Sequence, residues 1–373
     1  MLSLLAVCVN LKLKQYTKRN GYYEINNYLY FDHPTNLYYY YIDIFVLTGR
    51  YASYRSSSYF ENTDHRSEKM NIPLITDIRG NCLDDGPGIR TIIFFKGCTL
   101  HCIWCHNPET YSSSPELSVS RDDCIRCGSC APVCPQGAIS PLHPEITDRE
   151  KCNLCFQCTG HCPSKARRRV GIPMTVEEVL DICLSDKAFY DVSGGGVTFS
   201  GGEPGMYPEW TGQLARQLKD NGISVYMETA GCIPYREVRK HLLPYLSGIY
   251  MDIKLIDPEL HKRYCGRDNQ EILGNFRHFL EDSEELGYEF LPRTPLIPGI
   301  TDTEDNLRQI AAFYHTNGVT RTQLLPYNPT WYPKAEKLGI RINEELSGLQ
   351  QPQSIEHLQK CRDIFEEAGI PCI

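Results

Sequence analysis

Three cysteines, Cys98, Cys102 and Cys105, in the stretch KGCTLHCIWCHNPE (Lys96 to Glu109), constrain this chain more than any other feature. Thiolates bind zinc or iron–sulfur clusters, and a closed structural site takes four ligands from the protein. A C-x-x-x-C-x-x-C loop offers three. It can hold a cubane and leave one iron open for something else. A zinc knuckle completed by His101 or His106 is the competing reading of the spacing.

The next unit is of a different kind. Cys124, Cys127, Cys130 and Cys134 follow C-x-x-C-x-x-C-x-x-x-C, and Cys152, Cys155, Cys158 and Cys162 repeat it, each run ending in a proline, Pro135 or Pro163. This is the two-cluster ferredoxin pattern, in which the fourth cysteine of each run ligates the other cluster. The pairing it implies is Cys124, Cys127 and Cys130 with Cys162, and Cys152, Cys155 and Cys158 with Cys134. A pair of zinc ribbons is the alternative. Since this chain adds a fourth cysteine where a closed cluster is wanted, the missing ligand in the first loop reads as an open coordination position.

Composition narrows the classes further. The chain has 373 residues, 18 cysteines and a formal net charge of -8. That length predicts roughly two or three domains. The acidic balance argues against nucleic acid as the main partner. The basic run Lys165, Arg167, Arg168 and Arg169 reads as a solvated face or a docking patch. Eleven of the cysteines lie between Cys98 and Cys162. Their tight spacing favours metal binding in a reducing cytoplasm over a disulfide framework. The opening MLSLLAVCV lacks a basic flank and is too short to span a bilayer, so no membrane role is expected. Residues 1–69 carry twelve of the 24 tyrosines without a steady period. They read as a non-native extension of an over-long reading frame starting naturally at Met70, or as a poorly ordered N-terminal segment.

From residue 70 onward the pattern becomes regular. TIIFF (Thr91 to Phe95) reads as a buried strand ending where the cysteine loop begins. After the insert, residues 117–169, a capping box at Thr175 to Glu178 opens a helix. Strands are then predicted at Val197 to Ser200, Ser224 to Glu228, Ile249 to Ile253, Glu289 to Arg293 and Gln323 to Leu325. Helices are predicted between them at Glu209 to Asn221, Tyr235 to Leu246, Glu271 to Leu286 and Thr303 to Asn317, with a last one at Ser354 to Ala368. Six strands separated by helices predict an α/β fold, a parallel sheet curled into a partial (β/α)6 barrel over residues 70–373. Working groups of such a barrel collect at the C-terminal strand ends. The cysteine loop, Glu203, Glu228, Asp252, Lys254, Arg293, Tyr327 and Asn328 all fall there. A structural ion pair is the plain alternative for any one of them.

With these residues in view, the sequence resembles the radical SAM superfamily and, within it, the glycyl-radical-enzyme activating enzymes. The matching motifs are DGPGIRT (Asp85 to Thr91), GCTLHCIWCHNPE, GGGVTFSGGEP, MDIK (Met251 to Lys254), RTPLIPG (Arg293 to Gly299) and LLPYNP (Leu324 to Pro329), in family order. The insert is similar to that of the branch serving dehydratases, choline lyase, arylacetate decarboxylases and benzylsuccinate synthase.

The resemblance implies three 4Fe–4S clusters, one of which binds S-adenosylmethionine (SAM) through Cys98, Cys102 and Cys105. It implies that SAM is cleaved reductively to a 5′-deoxyadenosyl radical, which takes a hydrogen atom from a glycine of a partner glycyl radical enzyme. A flavodoxin or ferredoxin is the implied electron donor. By motif position, Gly201, Gly202 and Glu203 look like the methionine amino-group site. Asp252, Ile253, Lys254 and Arg293 look like contacts to the carboxylate and ribose, and the backbone at Trp104 and His106 like contacts to the adenine. Glu228 stands where relatives commonly carry aspartate, which puts a monovalent cation there in doubt. Asn328 replaces a common histidine and cannot be protonated. A radical SAM enzyme acting on a small molecule or peptide, and a plain iron–sulfur electron carrier, are the competing readings.

Overall fold

The computed structural model describes residues 72–373 apart from 343, 347, 348 and 350, and the antiparallel backbone pair Lys18–Arg19 and Tyr22–Tyr23. That pair belongs to a separate unit, Met1–His65, from the one that carries the sheet, Arg66–Ile373. The expectation for residues 1–69 otherwise lies outside the described residues.

The strands are β1 (Leu74–Cys82), β2 (Arg90–Lys96), β3 (Glu116–Val119), β4 (Arg167–Val170), β5 (Ile172–Pro173), β6 (Gly196–Gly201), β7 (Ser224–Thr229), β8 (Gly248–Asp252), β9 (Glu289–Pro295) and β10 (Gln323–Leu325). Eight of them form one sheet in the order β10-β9-β8-β7-β6-β2-β1-β5. The six strands expected from the sequence run parallel and in sequential order. The sheet stays open, with β10 and β5 at its edges, so the barrel is an arc. Strand β1 was not predicted. It lies antiparallel on β2 with two register shifts, and its LITDIRGNC sequence alternates too irregularly to announce a strand.

Helices α1 (Val176–Ser185), α2 (Lys187–Ser193), α3 (Pro208–Asp220), α4 (Tyr235–His241), α5 (Pro258–Cys265), α6 (Gln270–Leu286), α7 (Glu304–Thr316), α8 (Tyr332–Leu338) and α9 (Ile355–Glu367) link the strands or follow them. The capping box at Thr175 forms as expected, with Glu178 N donating to Thr175 Oγ1 at 3.2 Å and Thr175 N to Glu178 Oε2 at 2.8 Å. The helix predicted over Tyr235 to Leu246 is broken instead. It stops at His241, and Leu243–Tyr245 is a 3-10 turn around Pro244, because proline interrupts the helical hydrogen-bond ladder.

Strand periodicity divides the sheet into two chemistries. Val197, Phe199, Val225, Met227, Ile249 and Met251 are fully buried in the main apolar core. Between them stand Thr198, Ser200, Tyr226, Glu228, Tyr250 and Asp252, which belong to the opposite face; Tyr226, Tyr250 and Leu291 pack there as a separate small cluster. One face therefore carries the stability, and the other is free to carry polar work.

Two buried cations brace this frame. Arg90, fully buried, donates to Thr198 Oγ1 at 2.7 Å, Val197 O at 2.7 Å, Ser224 Oγ at 3.1 Å and Pro87 O at 3.1 Å. It also stacks on the Tyr226 ring, so one guanidinium joins β2, β6 and β7. Lys96, also fully buried, bonds Glu116 Oε2 at 2.5 Å and Glu109 O at 2.8 Å. This anchors β3, which pairs antiparallel with β4 from Glu116↔Val170 to Val119↔Arg167. The two cysteine runs hang from that ribbon.

Replacing Arg90 by methionine keeps the stem and leaves its acceptors unpaired. The expected cost is about 3 kcal/mol of stability, read as a lower denaturant midpoint at unchanged slope. A midpoint equal to that of the wild type would show the brace to be dispensable.

Candidate active site

The cysteine loop begins as β2 ends, and other elements hold it. Gly97 N donates to Thr110 O at 2.8 Å and Glu203 N donates to Gly97 O at 2.8 Å. From the far side, His101 N donates to Cys265 O at 2.9 Å and Ile103 N to Tyr264 O at 3.0 Å, so the end of α5 clamps the loop. The Tyr111 hydroxyl donates to Cys102 O. Cys102 and Trp104 are buried, Cys98 and Cys105 half-buried, and His106 exposed.

The three thiols share one environment. Burial, and then the nearby Glu203, push the Cys98 thiol well up. Burial takes Cys105 to about 12, with Cys102 adding to it. Contact with the Cys265 thiol, followed by burial, raises Cys102. Thiols so disposed ionise only when a soft cation neutralises them. The donor set therefore suits a metal–sulfide centre. Cys265 lies 160 residues downstream of Cys105, and no spacing rule connects them.

The GGEP loop meets the cysteine loop backbone to backbone. A Cβ on Gly202 would lie 2.0 Å from Gly97 O, and Gly201 has φ of +99° with Phe95 N 2.6 Å from its hypothetical Cβ. These glycines let the two loops touch. Glu203 is fully buried, and its carboxylate accepts from Thr229 Oγ1 at 2.8 Å, Ala230 N at 2.9 Å and Gly205 N at 3.3 Å. Its side chain thus holds the loop in shape.

Across the strand ends runs a continuous chain of charge. Ser200 Oγ donates to Glu228 Oε2 at 2.5 Å, and Arg293 bridges Glu228 Oε1 at 2.5 Å and Asp252 Oδ1 at 3.0 Å. Lys254 Nζ reaches Asp252 Oδ2 at 3.1 Å. Burial raises the Asp252 carboxyl, but Lys254 and Arg293 overcome it and hold the value low. Burial likewise opposes the Lys254 ammonium, and Asp252 and Cys102 more than restore it. Lys254 thus closes the charge chain within electrostatic reach of the cysteine loop. Ile253 is buried in the core, and its N donates to Arg293 O at 2.9 Å.

The remaining expected residues lie at the rim. His106 Nε2 shares a hydrogen bond with Thr330 Oγ1 at 2.8 Å. Although the residue is exposed, desolvation of the ring by the surrounding protein, with Lys334 assisting, lowers its imidazole to about 4, so it is neutral at physiological pH. Asn328 is exposed and caps the Pro329–Trp331 turn through Thr330 N at 3.1 Å. Asp85, absent from the expected set, stands close to the charge chain; burial and then Glu228 push its carboxyl up to about 6. Ser200 and Thr229 were missed as well. Their strand-end positions were the available signal.

Two cavities of the insert gather four cysteines each. One is lined by Cys124, Cys127, Cys130 and Cys162 with Val119, Ala166 and Arg167. The other is lined by Cys134, Cys152, Cys155 and Cys158 with Leu117, Ile139 and Phe156. Each brings together the fourth cysteine of one run and the first three of the other.

Among protein families, the Radical SAM superfamily model matches residues 149–313, a 4Fe-4S binding domain matches 117–140, and a 4Fe-4S single cluster domain matches 84–126. The chain is 36% identical over 311 residues to the indoleacetate decarboxylase activating enzyme of Tractidigestivibacter scatoligenes, covering 80% of this chain and 96% of that protein. It is 34% identical to the (2S)-3-sulfopropanediol dehydratase activating enzyme of Klebsiella oxytoca, over 80% and 96% of the two chains. It is 38% identical to the benzylsuccinate synthase activating enzyme of Thauera aromatica, over 76% and 86%. Among the described residues, no helix is long and apolar enough to cross a membrane. An incomplete thiol set clamped beside a buried Lys254–Asp252–Arg293–Glu228 chain, under relatives that share most of their length, places this protein among the glycyl-radical-enzyme activating enzymes of the radical SAM superfamily.

Proposed function

We propose that Cys98, Cys102 and Cys105 hold a 4Fe–4S cluster whose open iron takes SAM, and that the partner protein is a glycyl radical enzyme. Such a centre would supply one electron to the sulfonium, so that a carbon–sulfur bond breaks with methionine leaving, and the 5′-deoxyadenosyl group would take a hydrogen atom from a glycine Cα of the partner to give 5′-deoxyadenosine. The observation that carries the residue assignment is Lys254, which bonds Asp252 Oδ2 at 3.1 Å and lies within electrostatic reach of Cys102. A zwitterionic amino acid needs opposite charges within reach of the cluster loop. Lys254 and Arg293 suit its carboxylate, and Asp252 suits the ribose hydroxyls.

For the amino group, the backbone at Gly201 and Gly202 is the better donor-facing surface, since the Glu203 carboxylate is committed to Thr229, Ala230 and Gly205. Trp104 and His106 offer backbone to the adenine, with Asn328 at the same rim. Arg293 already neutralises Glu228, which supplies the positive charge that a monovalent cation would bring. The buried strand-end residues exclude water from the radical.

In the insert, the cavities of Cys124, Cys127, Cys130 and Cys162 and of Cys134, Cys152, Cys155 and Cys158 suit two further 4Fe–4S clusters, with a flavodoxin or ferredoxin as donor. The relatives' names favour an activase over a peptide-modifying enzyme or an electron carrier. They name different partner enzymes, and the class, a glycyl radical enzyme, is what this chain shares with them.

The reconstituted protein is expected to hold roughly twelve irons per chain. Cys102→Ala lowers this to about eight and abolishes 5′-deoxyadenosine formation; continued formation would refute the cluster assignment. Mixed anaerobically with SAM, reductant and a partner encoded nearby, the wild type produces a glycyl radical doublet in the partner's paramagnetic resonance spectrum.

Glu203 has a pH signature. Burial pushes its carboxyl up from 4.5 to about 7. A raised folded-state value stabilises fully below pH 4.5, and that stabilisation is lost as the pH climbs to about 7. The contribution falls by up to about 1.4 kcal/mol per pH unit. Denaturation of the anaerobic apoprotein across this window shows a smaller slope in Glu203→Gln than in the wild type. Equal slopes would refute the assignment.

A further inference from the structure

Nothing in the hydrogen abstraction uses Arg149, yet three parts of the molecule meet at its guanidinium. Arg149 Nη1 donates to Leu117 O at 2.6 Å, on the ribbon that carries the insert, and Nη2 donates to Lys337 O at 3.0 Å, on α8. Leu117 itself lines the cavity of Cys134, Cys152, Cys155 and Cys158. Lys334 lies about one turn back along α8. Its Nζ donates to His106 O at 2.9 Å and Asn107 Oδ1 at 2.8 Å. His106 follows Cys105 directly. Bonded contacts therefore lead from the Cys152 cavity through Arg149, α8 and Lys334 to the cysteine loop.

The ribbon register says which cavity is nearer. Glu116, its first rung, is clamped to Lys96 at the end of β2. Leu117, the next residue, lines the cavity of Cys134, Cys152, Cys155 and Cys158. Val119 lies about 7 Å further out along the strand and lines the cavity of Cys124, Cys127, Cys130 and Cys162. From that outer run, Arg121 reaches α8 only through an exposed pair with Glu336 at 3.7 Å, a weak link. Exposure does not separate the two, since Ile125 and Cys127 stand at the wall of one cavity and Leu154 and Cys155 at the wall of the other; the register does.

We propose that the two cavities are ordered. The Cys134, Cys152, Cys155 and Cys158 cavity is the inner relay, coupled to the cysteine loop by Arg149 and Lys334, and the Cys124, Cys127, Cys130 and Cys162 cavity is the outer relay that meets the donor. This rests on the reading that both cavities hold clusters. Each transfer moves one electron: a reduced flavodoxin- or ferredoxin-class carrier is oxidised by one, and the cysteine-loop centre is reduced by one. Arg149 acts here as a positioning residue.

The test uses the full reconstituted chain, with iron content as a control, and follows clusters by freeze-quench paramagnetic resonance. The cysteine-loop signal is recognised by its change on adding SAM. With reduced flavodoxin as donor, Cys152→Ser is expected to leave the outer signal reducible and to slow the SAM-responsive one by at least about tenfold. Cys124→Ser slows the inner and SAM-responsive signals together. Arg149→Gln keeps its iron and slows only the SAM-responsive signal, again by about tenfold. With dithionite in place of flavodoxin, Cys124→Ser reduces its remaining clusters at the wild-type rate. A slowed Cys124-cluster signal in Cys152→Ser, with the Cys152-cluster signal still reduced at the wild-type rate in Cys124→Ser, would reverse the order. A wild-type rate in Arg149→Gln would remove that residue from the path. Wild-type rates in both cysteine variants, with about four irons lost from each, would overturn the relay reading itself.

Discussion

A loop with three cysteines and no fourth ligand cannot be ordered by its own coordination alone, and the architecture answers to that constraint. Backbone hydrogen bonds grip it from two sides, Glu203 N to Gly97 O on one and His101 N and Ile103 N to the end of α5 on the other. Gly97 and Gly202 approach so closely that a Cβ on Gly202 would sit 2.0 Å from Gly97 O. The loop is thus built into the sheet's C-terminal edge by partners more than a hundred residues away. Rigidity at such a site matters because a radical intermediate punishes misplacement of the reacting atoms.

The second constraint is how to bury charge next to that loop. Glu228, Arg293, Asp252 and Lys254 alternate in sign along the strand ends, and each opposes its neighbour's cost of burial. A buried pair earns its place only with good geometry and with its remaining donors used. Arg293 meets this by bridging two carboxylates, and Lys254 keeps its charge although it is buried. Arg90 and Lys96 do related work at the two ends of β2, where their acceptors are largely carbonyls and hydroxyls. Arg90 illustrates a shift of meaning. In the sequence it is one letter of the DGPGIRT motif with no stated role; in the fold it is fully enclosed, and Asp85 is the member of that stretch that stands near the charge chain.

Much of this was legible beforehand. The six parallel strands followed from apolar runs separated by helical periods, and the strand-end placement of Glu228, Asp252 and Arg293 followed from the rule that barrels work at one rim. The capping box at Thr175 was a local signal and formed as such. Where the sequence misled, the cause was local chemistry overridden by context. Pro244 broke a helix whose apolar period ran through it. Strand β1 depends on pairing with β2, which no period within its own residues encodes.

What the sequence by itself determined is which chemistry is present: three thiols without a fourth, two complete four-cysteine runs, and charges spaced to arrive at strand ends. Such patterns are short-range, and short-range spacing survives in any fold that makes the loops. Only the tertiary structure decided which groups meet. It set Cys265 against Cys102, gave the Glu203 carboxylate to Thr229 and Ala230, and tied Arg149 to α8. These contacts join residues far apart in the chain, and their geometry comes from how helices and strands pack, which no spacing rule carries.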